Sequence, residues 1–355
     1  MKKHLLDLDI NELTSLIETL GQPKYRAGQL YSWLLGFVPY SEMTNLPKSL
    51  IEKLQAEYLD RSLTLLEKKV SKDGTTKYLF ELQDGGTVET VYLPNKYGNT
   101  LCVSSQVGCK FDCKFCASAL AGFSRNCTAG EILSQVVAVN ADKEGTIAKR
   151  AIGNIVLMGS GEPMDNFDNV VKFLRLVISE HGLNFSNRNI SISTCGLVDR
   201  IKQLADLNLG ITLSISLHAT LDEMRQKIMP IAKVYSIKQV VDAAKYYFEK
   251  TGRRVAFEYI MIKDLNTDYL DAVRLAEITK QLSSHVNLIP LNWVTERSLQ
   301  GITITKAKRF CDKLNQLGVS ATIRRTQGND IDGACGQLRA KFEKNKGVLI
   351  SDEVK

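Results

Sequence analysis

The chain has 355 residues, of which 44% are hydrophobic and 24% charged, a composition that is ordinary for a soluble globular protein. No apolar run approaches the roughly 20 residues that a membrane-spanning helix needs, and Asp7 and Asp9 interrupt any signal core, so we expect a cytoplasmic protein. The net charge of +7 permits a polyanionic partner without requiring one.

The first 60 residues predict short helices. Asp9 and Glu12 have the spacing of a capping box, and Gly21 ends the helix that follows them. Further helices are predicted over 26–35 and 47–58. From residue 64 to 104 the hydrophobic pattern changes to a period of two, which predicts strands instead of helices.

Two of those strands form a predicted hairpin, over 78–82 and 88–92, around a turn at 84–86. A further strand is predicted over 101–103, leading into a loop that is rich in cysteine. Read alone, Glu89 in the second hairpin strand is an exposed carboxylate.

Beyond residue 128, apolar strands alternate with amphipathic helices, which favours parallel βαβ units. We predict an α/β fold: a partial or full (β/α) barrel of about six parallel units, with a small N-terminal helical domain and a β-hairpin extension. A doubly wound sheet stays open as an alternative. The predicted strands are 154–158, 189–194, 211–217, 255–262, 286–291 and 319–324, and the helices are 169–178, 198–207, 237–249, 268–281 and 306–317.

These elements divide the chain into four expected segments. Residues 1–60 are a helical accessory domain, 61–98 a β-hairpin extension, 99–340 the barrel, and 341–355 a tail. In a barrel the active site lies at the carboxyl ends of the strands. The polar residues that follow each predicted strand are therefore expected to meet at one mouth.

Three cysteines, Cys109, Cys113 and Cys116, follow each other with the spacing CxxxCxxC. Three thiolates can bind three irons of a [4Fe–4S] cluster and leave the fourth iron open to another ligand. A structural zinc site is the alternative, with Cys102 as the fourth ligand that such a site requires.

The cysteine loop, with Phe115 before its last cysteine, resembles that of radical S-adenosylmethionine (radical SAM) enzymes. The segment 161–163, Gly-Glu-Pro, resembles the motif with which those enzymes bind the methionine amino group. More specifically, 100–109 and 330–338 resemble the RlmN/Cfr family of RNA adenine methyltransferases. Pro163 favours the RlmN branch, which methylates carbon 2 of adenine, over the Cfr branch, which methylates carbon 8 and tends to carry alanine there.

The resemblance implies a [4Fe–4S] cluster on Cys109, Cys113 and Cys116, and two S-adenosylmethionine molecules per turnover. It implies that Cys335 takes a methyl group from the first molecule and that a 5′-deoxyadenosyl radical from the second activates that methyl group. Glu89 then matches the general base, and Cys102 resolves the adduct through a transient disulfide with Cys335.

The resemblance also implies the residues that contact S-adenosylmethionine. Without it, His218 is read equally well as a buried core histidine. The expected contacts are Gly161, Glu162, Ser193, Ser216, Leu217, His218 and Asn292.

The partners that the resemblance implies are 23S rRNA and tRNA, together with a reducing partner such as flavodoxin or ferredoxin. We expect a monomer with no membrane association, in which residues 1–60 bind RNA. Two rival functions stay open: a radical SAM enzyme that acts on a small molecule or a protein, and a zinc-stabilised RNA-binding protein without catalysis.

Overall fold

A computed structural model of the protein describes residues 2–120, 122–291 and 298–331. Within these residues a sheet of ten strands organises the molecule, preceded by a small helical domain. Among the described helices, none is both long enough and apolar enough to span a membrane.

The N-terminal domain contains three helices and a short pair of parallel strands. The predicted capping box is confirmed, because the Asp9 carboxylate accepts hydrogen bonds from the backbone N–H groups of Asn11 and Glu12. The leucines on the inner helix faces are buried together. The elements are β1 (Lys3–His4), α1 (Ile10–Thr19), α2 (Tyr25–Leu35), α3 (Lys48–Glu57) and β2 (Tyr58–Leu59).

The structure adds a third strand to the predicted hairpin. Strands β3 (Leu63–Val70), β4 (Thr76–Leu82) and β5 (Thr87–Leu93) pair antiparallel. The register of β3 shifts between Leu65 and Glu67, and this irregularity breaks the strict alternation by which a strand is identified in sequence.

Strand β6 (Thr100–Cys102) connects this extension to the barrel, since it pairs antiparallel with β5 and parallel with the first barrel strand. A second small hairpin, β7 (Gln106–Gly108) and β8 (Phe123–Asn126), lies between β6 and the barrel helices and was not predicted. The cysteine loop therefore connects the two strands of this hairpin and does not follow β6 directly.

The barrel consists of parallel strands with helices on their outer side, as predicted. The parallel sequence starts at β6 and ends at β14, and no described strand joins β14 to β3, so the barrel is partial. The strands are β9 (Asn154–Leu157), β10 (Ile190–Thr194), β11 (Thr212–Ser216), β12 (Val255–Met261), β13 (Ser284–Pro290) and β14 (Ala321–Ile323). The helices are α4 (Ala129–Asp142), α5 (Phe167–Ile178), α6 (Val198–Asp206), α7 (Asp222–Ile228), α8 (Ile237–Thr251), α9 (Tyr269–Thr279) and α10 (Ile304–Gln316).

Each barrel strand alternates between a buried apolar face and a more polar face. In β10, Ile190 and Ile192 are fully buried in the core with the helices, whereas Ser191 and Ser193 are only partly buried. Where this alternation holds, it points polar side chains into the barrel, whereas apolar residues such as Ile260 and Ile289 line the inner face near the carboxyl ends of β12 and β13.

Candidate active site

The cysteine loop is held at its two ends and in the middle by backbone hydrogen bonds. The N–H of Cys109 donates to the carbonyl of Gly122 at 2.9 Å, and the N–H of Cys116 donates to the carbonyl of Cys113 at 3.0 Å. Between them, the N–H of Lys114 donates to the carbonyl of Ile228, at the end of α7, at 2.9 Å. The three sulfurs are thus presented from a short loop that is fixed against the barrel.

The three thiols lie close enough together to affect one another's ionisation. Burial raises the pKa of Cys109 to about 12, and a charge on Cys116 would raise it further. Burial also raises the pKa of Cys113 well above its ordinary value, and both Cys116 and Cys109 add to the shift. Thiolates at these positions therefore need a positively charged centre between them.

Three cysteines are one fewer than the four protein ligands of a structural zinc site, and they match the three irons of a [4Fe–4S] cluster that the protein would bind. Among the described residues, no group of three His, Cys, Asp or Glu side chains converges as ligands of one metal ion. A [4Fe–4S] cluster bonds each cysteine to a different iron, so its ligands stand farther apart than those of zinc. The cysteines described are all reduced, with no disulfide among them.

An apolar layer surrounds the loop. Phe111, Cys113 and Phe115 pack against a buried cluster at the barrel mouth, and the ring of Phe115 meets that of His218 edge to face, with centroids 4.6 Å apart. Such a layer limits access of water to a bound cluster. The buried cluster consists of Cys195, Ile228, Met229, Ile260 and Ile262.

Glu162 follows β9 and places a carboxylate inside the mouth. One oxygen accepts from the N–H of Cys195 at 2.7 Å and the other from the N–H of Met164 at 3.0 Å. Burial nevertheless raises the pKa of Glu162, with the two backbone hydrogen bonds opposing the shift. The N–H of Glu162 donates to the side chain of Gln106 at 2.8 Å, which ties this segment to β7.

The close contact between this segment and Gln106 requires glycine at position 161. Its φ of +102° lies in the region that favours glycine, and a Cβ atom at this position would lie 2.5 Å from the Cβ of Gln106. The backbone can therefore approach β7 closely only when residue 161 has no side chain.

The other predicted cofactor contacts lie at the same edge of the sheet. Ser193 and Ser216 lie at or near the ends of the neighbouring strands β10 and β11, with Leu217 and His218 directly after β11. His218 has a left-handed backbone, and its Nδ1 accepts from the N–H of Ile260 at 3.1 Å. Burial lowers the pKa of His218 to about 3, so the ring is neutral. Asn292 lies outside the described residues.

Cys102 and Glu89 lie on the side of the mouth that the β extension forms. Cys102 is the last residue of β6, and its pairing with Val91 in β5 places Glu89 just beyond the end of β6. Glu89 is 4% exposed, and its Oε1 lies 3.6 Å from the ammonium of fully buried Lys77. The interpretation of Glu89 as an exposed strand carboxylate is therefore wrong, because β5 is covered on both faces.

Cys335 lies outside the described residues, but the chain that leads to it is described. The N–H of Gly328 donates to the carboxylate of Asp73 at 2.9 Å. The carboxylate of Asp330 accepts from the hydroxyl of Ser71 at 2.5 Å and from the N–H of Lys72 at 3.1 Å. The segment that follows β14 thus crosses to the turn between β3 and β4, beside the strand that carries Lys77.

Two residues at the mouth were missed by the sequence analysis. Gln106 lies in the segment 100–109, which carries the resemblance to the family, but it had no predicted role. Its position three residues before Cys109 could have suggested one. Arg225, which is fully buried behind the mouth, carries no signal in the sequence, because an arginine in a short charged segment normally indicates a solvent-exposed helix.

The comparisons with known proteins agree with this geometry. Residues 103–276 match the family model for the "Radical SAM superfamily", and residues 3–59 match the "Ribosomal RNA large subunit methyltransferase N-terminal domain". A crystal structure of a radical SAM methyltransferase from Sphaerobacter thermophilus superposes with a TM-score of 0.90 and 39% sequence identity, covering 94% of this chain and 98% of that one.

Two curated relatives cover nearly the whole chain, and both are named "Probable dual-specificity RNA methyltransferase RlmN". The relative from Clostridium botulinum (strain Alaska E43 / Type E3) is 46% identical over 347 residues, covering 97% of this chain and 98% of its own length. The relative from Clostridium perfringens (strain 13 / Type A) is 46% identical over 351 residues, covering 98% of this chain and 100% of its own. This chain belongs to the RlmN family of the radical SAM superfamily.

Proposed function

We propose that this protein methylates carbon 2 of adenine in RNA, with 23S rRNA and tRNA as its substrates. One observation carries the proposal: the cysteine loop, the buried Glu162, Cys102 and Glu89 all lie around one mouth of a partial barrel. The names of the relatives support an RNA substrate, since they describe those proteins as dual-specificity RNA methyltransferases.

The residues of the mouth fit the two groups that the superfamily implies. Cys109, Cys113 and Cys116 would bind a [4Fe–4S] cluster, since they lie on one short loop with apolar surroundings. When bound, the cluster and two molecules of S-adenosylmethionine supply a methyl group and a 5′-deoxyadenosyl radical. The residues that would hold S-adenosylmethionine are Gly161, Glu162, Ser193, Ser216, Leu217, His218 and Asn292.

Three further residues would act on the methyl group and the base. The Cys335 sulfur would accept the methyl group, which would then lose one hydrogen atom to the 5′-deoxyadenosyl radical. Its carbon would bond to carbon 2 of adenine, and the adduct would return one electron to the centre that supplied it. Glu89 then removes the proton from carbon 2, with Lys77 at 3.6 Å as its counter-charge. The thiolate of Cys102 would finally attack the Cys335 sulfur, so that a sulfur–sulfur bond forms as the sulfur–carbon bond breaks and the released carbon takes up a proton to become the methyl group. A reducing partner would supply two electrons to regenerate both thiols before the next turnover.

The N-terminal domain would bind the folded RNA. Single-stranded or unstacked adenines are the usual targets of sequence-specific RNA recognition, whereas the surrounding helices are recognised through shape and phosphate. Residues 1–60 carry six Lys/Arg against eight Asp/Glu, so these contacts would depend on where the basic side chains lie on the folded domain and not on its net charge. Residues 1–60, 61–98 and 99–340 would then be the RNA-binding, linking and catalytic parts of one enzyme.

The test is an anaerobic assay of the reconstituted protein with a reductant, S-adenosylmethionine and rRNA or tRNA, followed by mass spectrometry of the nucleosides. We expect 2-methyladenosine. A product that is 8-methyladenosine would instead support the Cfr branch. A colourless protein that holds one zinc ion and no sulfide would support the zinc-stabilised RNA-binding protein.

Cysteine variants test the mechanism. Cys335→Ala should abolish methylation while S-adenosylmethionine cleavage persists, and Cys102→Ala should accumulate a covalent protein–RNA adduct. Cys311→Ala is the matched control, because this buried thiol in α10 donates to the carbonyl of Ala321 and lies away from the mouth. Normal 2-methyladenosine with Cys335→Ala, or normal release of product with Cys102→Ala, would exclude the proposed roles.

A further inference from the structure

Arg225 is a charged side chain that the structure buries completely. It lies in the short helix α7 and is 0% exposed. Burial of a guanidinium costs several kcal/mol unless its donors are satisfied, so a buried arginine needs an explanation from its surroundings.

Among the described residues, every hydrogen bond that Arg225 donates has a backbone carbonyl as its acceptor. Its Nη2 donates to the carbonyl of Cys195 at 2.7 Å and to that of Ser216 at 3.1 Å, and its Nε donates to the carbonyl of Leu217 at 3.1 Å. A fourth, longer bond joins Nη1 to the carbonyl of Tyr235 at 3.4 Å. The planar fork of donors therefore joins the segment after β10 to the end of β11.

The same helix also contacts the cysteine loop. The carbonyl of Ile228, the last residue of α7, accepts from the N–H of Lys114, and Cys113 packs against the apolar cluster that contains Ile228. Helix α7 thus bridges the loop that would bind the cluster and the strand ends that would bind S-adenosylmethionine.

The guanidinium is also a buried positive charge on this side of the mouth, since its Nη2 donates to the carbonyl of Cys195, and Cys195 and Cys113 belong to the same apolar layer. Charges on Cys195, Cys113 and Asp222 are the ones that favour its protonated form, against the effect of burial. The carboxylate of Asp222 is already engaged as an acceptor for the N–H of Ile237 at 2.7 Å.

We propose that Arg225 is a positioning residue for the radical-generating site, which joins the ends of β10 and β11 into one surface for S-adenosylmethionine and supplies a buried positive charge beside Cys113. The inference rests on the proposed cluster and cofactor binding. A cluster on three thiolates gains negative charge when it is reduced, and a nearby buried cation stabilises that form and raises the reduction potential.

The two parts of the role are separated by different substitutions. Arg225→Met removes the charge and the fork, so the potential should become more negative and S-adenosylmethionine should bind about 10-fold to 100-fold more weakly. Arg225→Lys keeps the charge but cannot reach the carbonyls together, so only the binding should weaken. Gly196→Ala keeps the arginine and its charge. Its new Cβ would lie 3.2 Å from Nη2 and 3.1 Å from Val240, in a backbone whose φ of +103° is unfavourable for alanine, so it should displace this segment and weaken binding without shifting the potential.

The measurements are an anaerobic redox titration followed by electron paramagnetic resonance, and the change of that signal on adding S-adenosylmethionine, at matched iron content. Arg150→Met is the control, because Arg150 donates to the carbonyl of Leu183 and stacks on Phe185 away from the mouth. It should leave both readouts at their wild-type values.

Wild-type potential and binding in Arg225→Met would overturn the inference. Where Arg225→Met does not fold, Arg225→Lys and Gly196→Ala decide, and wild-type affinity for S-adenosylmethionine in both would overturn it. The readouts contain no RNA. A wild-type protein that holds a cluster but does not methylate RNA would therefore contradict the proposed function and leave this inference standing.

Discussion

The carboxylate of Glu162 is fixed by the backbone around it more than by other side chains. Its two oxygens accept from backbone N–H groups, and its own N–H donates to Gln106. Backbone donors of this kind keep a carboxylate in one orientation through the reaction, since they cannot rotate away. The precision of the mouth therefore depends on how closely the chain at Gly161 can approach β7.

Gly161→Ala should disturb this arrangement. The new Cβ would lie 2.5 Å from the Cβ of Gln106, and the φ of +102° is unfavourable for alanine, so Gln106 must move and release the N–H of Glu162. We expect at least about tenfold weaker binding of S-adenosylmethionine, measured by equilibrium binding to the reconstituted protein.

Gly210→Ala is the matched control for this variant. It has a similar positive φ of +67°, but its Cβ would meet no atom closer than 3.7 Å, at Asn187, and it lies at the opposite end of β11. It should cost roughly 1 kcal/mol of stability from backbone strain alone and leave the binding unchanged. Equal loss of binding in both variants would show that strain, and not the contact with Gln106, controls the site.

At the scale of elements, Arg125 joins three parts of the structure. From β8 its guanidinium donates to Asp84, in the turn between β4 and β5, and to Glu131, in the first turn of α4. Glu131 is 2% exposed, so removal of Arg125 leaves a buried carboxylate with the N–H of Thr128 at 2.9 Å and His4 at 3.7 Å as its remaining partners. Arg125→Met should lower the free energy of unfolding by about 3 kcal/mol, measured by urea denaturation.

The hydrogen bonds from Arg125 to Asp84 also predict how the free energy of unfolding depends on pH in the acid range. The hydrogen bond from Arg125 lowers the pKa of Asp84 to about 2, below the ordinary value of 3.8. The folded state therefore binds fewer protons than the unfolded state, and the contribution of Asp84 is present above about pH 4 and is lost as the pH falls toward 2. Asp84→Asn should reduce the loss of stability over that interval. An unchanged acid dependence in this variant would contradict the assignment.

The contact between the last described segment and the β3–β4 turn has a consequence for Cys335. Asp330 lies five residues before Cys335 in the chain and accepts hydrogen bonds from Ser71 and Lys72. Asp330→Ala removes this acceptor. We expect the Cys335 thiol to be alkylated several-fold faster, measured by mass spectrometry of its peptide. Asp312→Ala, on the exposed face of α10, is the control, and equal rates in both variants would show that the turn does not hold this segment.

At the scale of the whole molecule, hydrophobic patterning predicted the parallel strands of the barrel, since apolar strands alternate along the chain with amphipathic helices. Patterning failed for elements whose burial does not follow a local period in the sequence. Strands β4 and β5 are covered on both faces, so the alternation that made Glu89 look exposed does not apply there. Helix α7 has only seven residues and is fixed by the bonds of Arg225 to distant strand ends, which no local pattern encodes.

The cysteine loop and the Gly-Glu-Pro segment could be identified because their chemistry depends on residue type and spacing. Their neighbours could not, since Gln106 and Arg225 act through backbone atoms that the fold brings together from far along the chain. Residue type and spacing therefore identified the cysteine loop and the Gly-Glu-Pro segment but not the residues that hold them in place, and the roles of the predicted site residues stay predictions.

The attachment of the N-terminal domain to the barrel tests whether the two act together on RNA. The N–H of Gly130, in the first turn of α4, donates to the carboxylate of Asp7 at 2.6 Å, and a Cβ on Gly130 would lie 2.7 Å from the backbone nitrogen of Asp7. Gly130→Ala should therefore displace the N-terminal segment from α4 at a cost of about 1–3 kcal/mol.

The mouth does not include this contact, so Gly130→Ala should keep the iron content and the reductive cleavage of S-adenosylmethionine without RNA, while RNA methylation falls at least about tenfold. Gly28→Ala is the control, because Gly28 lies exposed in α2 with no atom within 4 Å of a new Cβ, and alanine there favours the helix by about 0.5–1 kcal/mol. Since docking of the N-terminal domain would set the distance between the bound RNA and the mouth, methylation at the wild-type rate in Gly130→Ala would show that the domain does not position the substrate. An equal loss of cofactor cleavage and methylation would show instead that the substitution damages the barrel itself.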